Sequence, residues 1–195
     1  MENNNTTQTH VTQKLFTEML RPQTLDQAII VPRIREVLQH GLTTNILLSG
    51  SAGAGKTSLT RILTRGYQVL EINASLENGI DTIRDKVIAF ASQSSLFDGE
   101  EKLKVVVLEE CDGLSSEAWK ALRATIEKYH KTVRFIANCN YIDKVPDPIQ
   151  SRFNVIIIDP LTKEEEEYLF KGYLERIKYI LTKFNIQYTD ETVTS

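Results

Sequence analysis

The sequence predicts an α/β fold: a five-stranded parallel sheet between helices, followed by the start of a helical lid. Three observations lead there. Five short apolar runs, at 45–49, 68–72, 104–108, 133–137 and 155–158, are each of strand length and are separated by segments of helical period. Three of the runs hold unbroken stretches of Val, Ile and Leu, at 46–48, 105–108 and 155–158, as strands covered on both faces require, and strand and helix alternate in the order that builds a parallel sheet. Past Asp159-Pro160 the texture changes to one long, charged, capped helix.

The first run opens directly into Gly50-Ser51-Ala52-Gly53-Ala54-Gly55-Lys56-Thr57, which fits the pattern G-x-x-x-x-G-K-[ST], with Ser58 continuing into a helix over 57–65. Glycines at 50, 53 and 55 let the backbone turn tightly, so that several amide hydrogens converge on phosphate oxygens beside the positive end of that helix. Lys56 then reaches the β and γ phosphates, and the Thr57 hydroxyl faces Mg²⁺. Chance alone would place this pattern in roughly 1% of chains of this length, and the flanking strand and helix lower the odds further.

After the second run, Ile80, Ile83, Val87 and Phe90 share one helical face. The third run ends in Glu109-Glu110-Cys111-Asp112, which puts carboxylates at the carboxyl edge of the sheet beside the phosphate loop. Glu109 takes the metal position there, and Glu110 is the candidate to polarise an attacking water. Ala118, Leu122, Ile126 and Tyr129 form another helical face before the fourth run, and Asn140 stands at that run's tip. Read from residue type alone, Asn140 is also an ordinary turn former, as are Asn138 and Asp143. Loops are expected at Asp98-Gly99, Cys111-Asp112-Gly113 and Pro146-Asp147-Pro148. Thr162-Lys163-Glu164-Glu165 reads as a capping box for a helix over about 163–184, with four consecutive glutamates complementing its N-terminal dipole. The expected organisation is a disordered tail at 1–13, an ATPase domain at 14–160 and an incomplete lid at 161–195.

Composition narrows the function classes. The 195 residues and 41% hydrophobic content suit one α/β domain with an additional piece. With 23 basic against 26 acidic residues the chain carries net charge −3, so no global positive field draws it to nucleic acid, and any DNA contact is a local patch. The two cysteines, Cys111 and Cys139, sit in apolar contexts without metal-ligand spacing and read as buried reduced thiols. No stretch approaches the roughly 18 apolar residues of a membrane span, and residues 1–13 have no secretory pattern, so no membrane partner is expected.

Residues 108–112 resemble the Asp-Glu-x-Asp box of AAA+ ATPases, and their surroundings resemble clamp-loader subunits, namely replication factor C small subunits and their bacteriophage counterparts. Leu20-Arg21-Pro22-Gln23-Thr24-Leu25-Asp26 is similar to the family's Tyr-Arg-Pro-x-Thr-Leu-Asp lead-in, and Gly79-Ile80-Asp81-Thr82-Ile83-Arg84 to its helix after the second strand. The stretch from Ala121-Leu122-Arg123 to Glu127-Lys128-Tyr129 is similar to the Ala-Leu-Arg-Arg-x-x-Glu helix. Cys139-Asn140-Tyr141 and Pro148-Ile149-Gln150-Ser151-Arg152 are similar to the sensor-1 and Ser-Arg-Cys boxes. Together these stretches span about residues 20–185.

The resemblance implies an ATP- and Mg²⁺-dependent subunit of a hetero-pentamer that loads a sliding clamp onto primer-template DNA. It makes Asn140 the sensor that meets the attacking water or γ phosphate, and Arg152 an arginine finger aimed at the nucleotide of a neighbouring subunit. Without that context Arg152 is a surface arginine paired with an acid such as Asp159. Arg21 and Pro22, with Ile29 and Ile30, either shape the adenine pocket or simply pack the lead-in segment. Arg84 either tracks a DNA phosphate or is a solvated helix residue. Two departures stand out: Glu109 replaces the family's metal-side aspartate, so slow turnover is expected, and Phe153 replaces the cysteine after Arg152. A poorly hydrolysing structural or regulatory subunit and another AAA+ DNA motor, such as a branch-migration ATPase, are the alternatives. The chain alone is expected to be monomeric or weakly associated. Its expected location is the cytoplasm, meaning the host's for a viral chain, or the nucleus in a eukaryote.

Overall fold

The computed structural model describes residues 19–93, 103–189 and 192–193. The tail expected at 1–13 and the loop at Asp98-Gly99 lie outside the described residues. A 3₁₀ turn at Leu25–Gln27 leads into α1 (Pro32–Leu38), β1 (Ile46–Ser49), α2 (Lys56–Leu63) and β2 (Gln68–Asn73). A π-wound segment at Thr82–Val87 continues as α3 (Ile88–Ser92) before β3 (Lys104–Glu109), a 3₁₀ turn at Cys111–Gly113, α4 (Ser116–Tyr129) and β4 (Val133–Cys139). A 3₁₀ turn at Ile142–Lys144, α5 (Asp147–Gln150), β5 (Asn154–Ile157) and the long α6 (Lys163–Lys183) follow.

All five strands pair in parallel, in the order β2-β3-β4-β1-β5. Alternate residues of the inner strands serve two separate cores, which is the physical reason their sequence is apolar throughout. Val106, Leu108, Phe135 and Ala137 face one core with α4 and the Thr82–Ser92 segment, while Val105, Val107, Ile136 and Leu48 face the other with α1 and α2. The edge strand β2 is largely exposed, and its sequence alternates accordingly.

Polar side chains fix where the elements sit. Asn45 Oδ1 accepts from the Phe135 amide at 3.0 Å and its Nδ2 donates to the Arg152 carbonyl at 3.1 Å, tying the start of β1 to both neighbouring strands. Lys104 is buried although it opens a strand: its ammonium donates to the Phe90 carbonyl at 2.8 Å and to that of Gln93, and so serves the carbonyl end of α3. Ser115 caps α4 by accepting from the Ala118 amide at 3.1 Å, and Thr162 caps α6 by accepting from that of Glu165 at 3.2 Å. The sequence reading missed the π winding of Thr82–Val87. Its buried pair, Ile83 and Val87, has the i, i+4 spacing that an α-helix would show as well.

α6 is of another kind, with no buried residue along its 21 positions. It meets the lead-in segment through a bond from Arg176 Nη2 to the Leu20 carbonyl at 2.8 Å and closely at Gly172, where an added Cβ would stand 2.9 Å from Ile29 Cγ2. Only glycine fits that contact without something shifting.

Candidate nucleotide-binding site

β1 ends one residue before Gly50, and the loop turns through positive φ at Gly53 (83°) and Gly55 (94°) before α2 begins at Lys56. No L side chain adopts those angles without strain, which accounts for glycine at both positions. Lys56 Nζ folds back over the loop, donating to the carbonyls of Gly50 and Ser51 at 2.7 and 2.9 Å and to Asn140 Oδ1 at 2.8 Å. The tip of β4 and the loop lysine therefore meet, although 84 residues separate them.

Thr57 Oγ1 donates to Glu109 Oε2 at 3.2 Å. The other carboxylate oxygen, Glu109 Oε1, is buried and has no hydrogen-bond partner. A buried acceptor with nothing donating to it is a costly arrangement that a cation would resolve. Among the described residues no three His, Cys, Asp or Glu side chains gather as a metal cage. Mg²⁺ fits such a sparse set, since it keeps waters and binds through one or two protein oxygens plus phosphates. Thr57 and Glu109 are the residues that would hold it, and the longer glutamate does reach the hydroxyl.

Glu110 has φ 53° and ψ 43°, a left-handed conformation that costs a non-glycine residue about 1–2 kcal/mol. Strain of this kind persists where the surroundings over-determine it. Here the Glu110 carbonyl accepts from the Gly113 amide at 2.9 Å, and Cys111, next in the chain, is fully buried. The Glu110 side chain is left exposed at the sheet edge. The hydrogen bond shared with Cys139, and then burial, hold the Cys111 thiol well above its ordinary range. Both cysteines are free, buried thiols, and each is the chain neighbour of a candidate site residue, Cys111 of Glu110 and Cys139 of Asn140.

Beside the phosphate loop, Pro22, Ile29, Ile30, Ala54, Ser58 and Tyr173 line a cleft of about 250 Å³. A second, of about 290 Å³, shares Ile29, Ile30 and Tyr173 and extends to Ser51, Asp159 and Leu169. Apolar clefts with a few polar groups around a glycine loop suit a planar base and a sugar. Arg21 precedes this wall, half-buried, and is not one of its lining residues. Tyr173 and Leu169 come from α6, a helix legible from its cap and range, although nothing in the sequence pointed that face at the loop.

The two arginines lie elsewhere. Arg152 is paired with Glu127 of α4, Nε to Oε1 at 3.1 Å and a second contact through Nη2, and Arg123 shares the same carboxylate at 3.3 Å. Arg152 and then Arg123 hold the Glu127 carboxyl below its ordinary range. Asp159, the acid considered for Arg152, instead grips Ser51 of the phosphate loop. Arg84 stands exposed on the π-wound segment, away from the phosphate loop's own contacts.

Residues 46–161 match the sequence profile of the ATPase family associated with various cellular activities (AAA). The chain is 36% identical over 190 residues to the replication factor C small subunit of Haloarcula marismortui, covering 92% of this chain and 55% of that one. It is 38% identical over 168 residues to the subunit of the same name from Saccharolobus solfataricus, covering 80% and 50%. The chain thus spans about half the length of the curated relatives it matches. Among solved structures it resembles the Thermotoga maritima RuvB Holliday junction branch migration motor, with TM-score 0.60 and 19% identity over 82% of this chain and 55% of the other. It also resembles AMPPCP-bound DnaA of Aquifex aeolicus, with TM-score 0.59 and 20% identity over 88% and 58%. These two likenesses concern the fold.

Proposed function

The chain belongs to the ATPase family associated with various cellular activities, and from that premise we propose that it is the ATP-binding and hydrolysing part of a DNA sliding-clamp loader. One observation carries the nucleotide reading. Lys56 and Thr57, from one loop, contact Asn140 and Glu109 at the ends of two other strands, so phosphate-binding and acidic groups meet at a single sheet edge. The similarity to replication factor C small subunits over most of the chain supports the clamp-loading part.

In this reading the loop amides and Lys56 bind the β and γ phosphates, and the clefts against Pro22, Ile29 and Tyr173 take the base. Thr57 and Glu109 would hold Mg²⁺, which would supply charge neutralisation at the phosphate oxygens. Glu110 accepts the proton of the attacking water and Asn140 orients it. Arg152 would leave Glu127 to meet the nucleotide of an adjacent subunit, an addition worth 10³ to 10⁵ in rate in other nucleotidases. Arg84 would contact the phosphate backbone of primer-template DNA. The partners are other loader subunits, the clamp and DNA. No helix among the described residues is long and apolar enough to cross a membrane. The workplace is the compartment that holds replicating DNA.

The test is ATPase rate with and without clamp, primed DNA and partner subunits. Stimulation only when all are present supports the proposal, whereas a rate indifferent to clamp and primer favours another AAA+ DNA motor. Glu109 favours a second reading, a subunit that binds ATP and hydrolyses it poorly. A Glu109→Asp variant with raised turnover and little change in affinity would support that alternative.

A further inference from the structure

The hinge between β5 and α6 touches the phosphate loop directly. Asp159 Oδ1 and Oδ2 accept from the Ser51 amide at 3.0 and 2.9 Å, and Oδ2 also accepts from Ser51 Oγ at 2.9 Å. The backbone carbonyl of Asp159 accepts from Arg33 Nη2 at 2.9 Å, and Arg33 Nη1 donates to the Ile157 carbonyl at 2.7 Å. The remaining edge of that guanidinium forks onto Glu165 in the first turn of α6, at 2.7 Å from Nε to Oε1 and 3.2 Å from Nη2 to Oε2. Glu165 in turn accepts from the Leu161 amide at 2.8 Å.

Arg33 stands on a fixed element, because α1 buries Ile34 and Leu38 in the core. α6 buries no residue fully, and its pose is set by this fork together with the Gly172 contact with Ile29, the bond from Arg176 Nη2 to the Leu20 carbonyl at 2.8 Å and the packing of Leu169 against the core. A planar guanidinium holding two carbonyls and a carboxylate sets direction as well as distance. Gly50 belongs to the same arrangement: a Cβ there would stand 3.3 Å from Asp159 Oδ1 and 3.2 Å from Ile158 Cβ. The first glycine of the loop therefore admits the hinge acid.

We infer that Asp159 and Arg33 are positioning residues that lock the lid helix to the phosphate loop, and so set how tightly the site closes on a nucleotide. One side of Asp159 orders the start of the loop. The other, through Arg33 and Glu165, aims the helix whose Leu169 and Tyr173 wall the clefts. The Asp159 contacts with Ser51 are exposed and those of Arg33 are half-buried, all outside the two cores, so breaking them changes binding more than folding. The inference rests on the nucleotide reading above.

The experiment titrates a fluorescent ATP analogue into the full 195-residue chain and its variants Asp159→Ala, Asp159→Asn, Arg33→Ala and the double alanine variant, and melts each without nucleotide. Each alanine change weakens binding roughly tenfold, the double variant by about the same tenfold, and Asp159→Asn, which keeps one acceptor, by a few-fold. Melting points stay close to that of the parent. Unchanged affinity in variants of a chain that binds overturns this inference alone, as does a double variant weakened about a hundredfold. A parent chain that binds no analogue overturns the nucleotide reading and this one together. If the alanine variants fail to fold, Asp159→Asn and Arg33→Lys carry the same comparison.

Discussion

The sheet and the long helix α6 obey different rules, although both face the phosphate loop. β3 and β4 are covered on both sides, and the position of each residue in them is over-determined by packing. α6 exposes Tyr168, Phe170, Tyr179 and Ile177 to solvent and is held by a cap, a fork, the Arg176 bond to the Leu20 carbonyl and the peripheral packing of Leu169 and Gly172. The groups assigned to chemistry stand on the rigid edge. On the proposed function, those that would close over the base stand on an element held by a few polar and peripheral contacts.

The contrast predicts unequal costs. Phe135→Ala, at a fully buried site in β4, lowers stability by about 3–5 kcal/mol in urea unfolding, whereas Phe170→Ala on α6 stays within about 0.5 kcal/mol. Equal costs would break the distinction. Glu110→Gln keeps the backbone and the packing behind it, and lowers kcat by about 10²- to 10⁴-fold in the assembled enzyme with nucleotide affinity near that of the parent. A parallel loss of affinity would place Glu110 in binding instead. Thr162→Ala removes the α6 cap at a cost of about 1 kcal/mol, and faster amide exchange should appear in the first turn of α6 while β3 is unaffected.

The smallest effect concerns pH. Arg33, and then the Leu161 amide, hold the Glu165 carboxyl below its ordinary range. A carboxyl depressed in the folded state contributes stability above its unfolded pKa, about 4.3, and loses it as pH falls through the lower folded value. Below that ordinary value the α6 amides of the parent chain should therefore lose protection, and Glu165→Gln should flatten the dependence. Loss of protection on raising the pH instead would contradict the assignment.

The same contrast explains what could be read from the sequence. The five strands, the phosphate loop and the acids at the end of β3 were legible because burial on two faces and tight glycine turns both leave local patterns. The grip of Asp159 on Ser51 spans 108 residues and rests on one hinge angle, so no local pattern records it. Arg33 and Glu165 look like ordinary helix charges until α1 and α6 come together. Lys104 reads as the polar end of a strand, yet its ammonium is tucked under α3. Asn138, grouped with turn formers, lies buried in β4 with its Nδ2 on Thr60 Oγ1 at 3.0 Å.

The left-handed backbone at Glu110 has a consequence for how sequences can drift there. Glycine and asparagine sit in that conformation more comfortably than glutamate, and β-branched residues far less so. Replacements at this position should thus rank by shape of the main chain and not by kinship to an acid. Under the role proposed for Glu110, the easiest of them to fold would be catalytically dead, so selection for foldability alone would carry a lineage toward silent copies, and only selection for turnover would keep the acid in place.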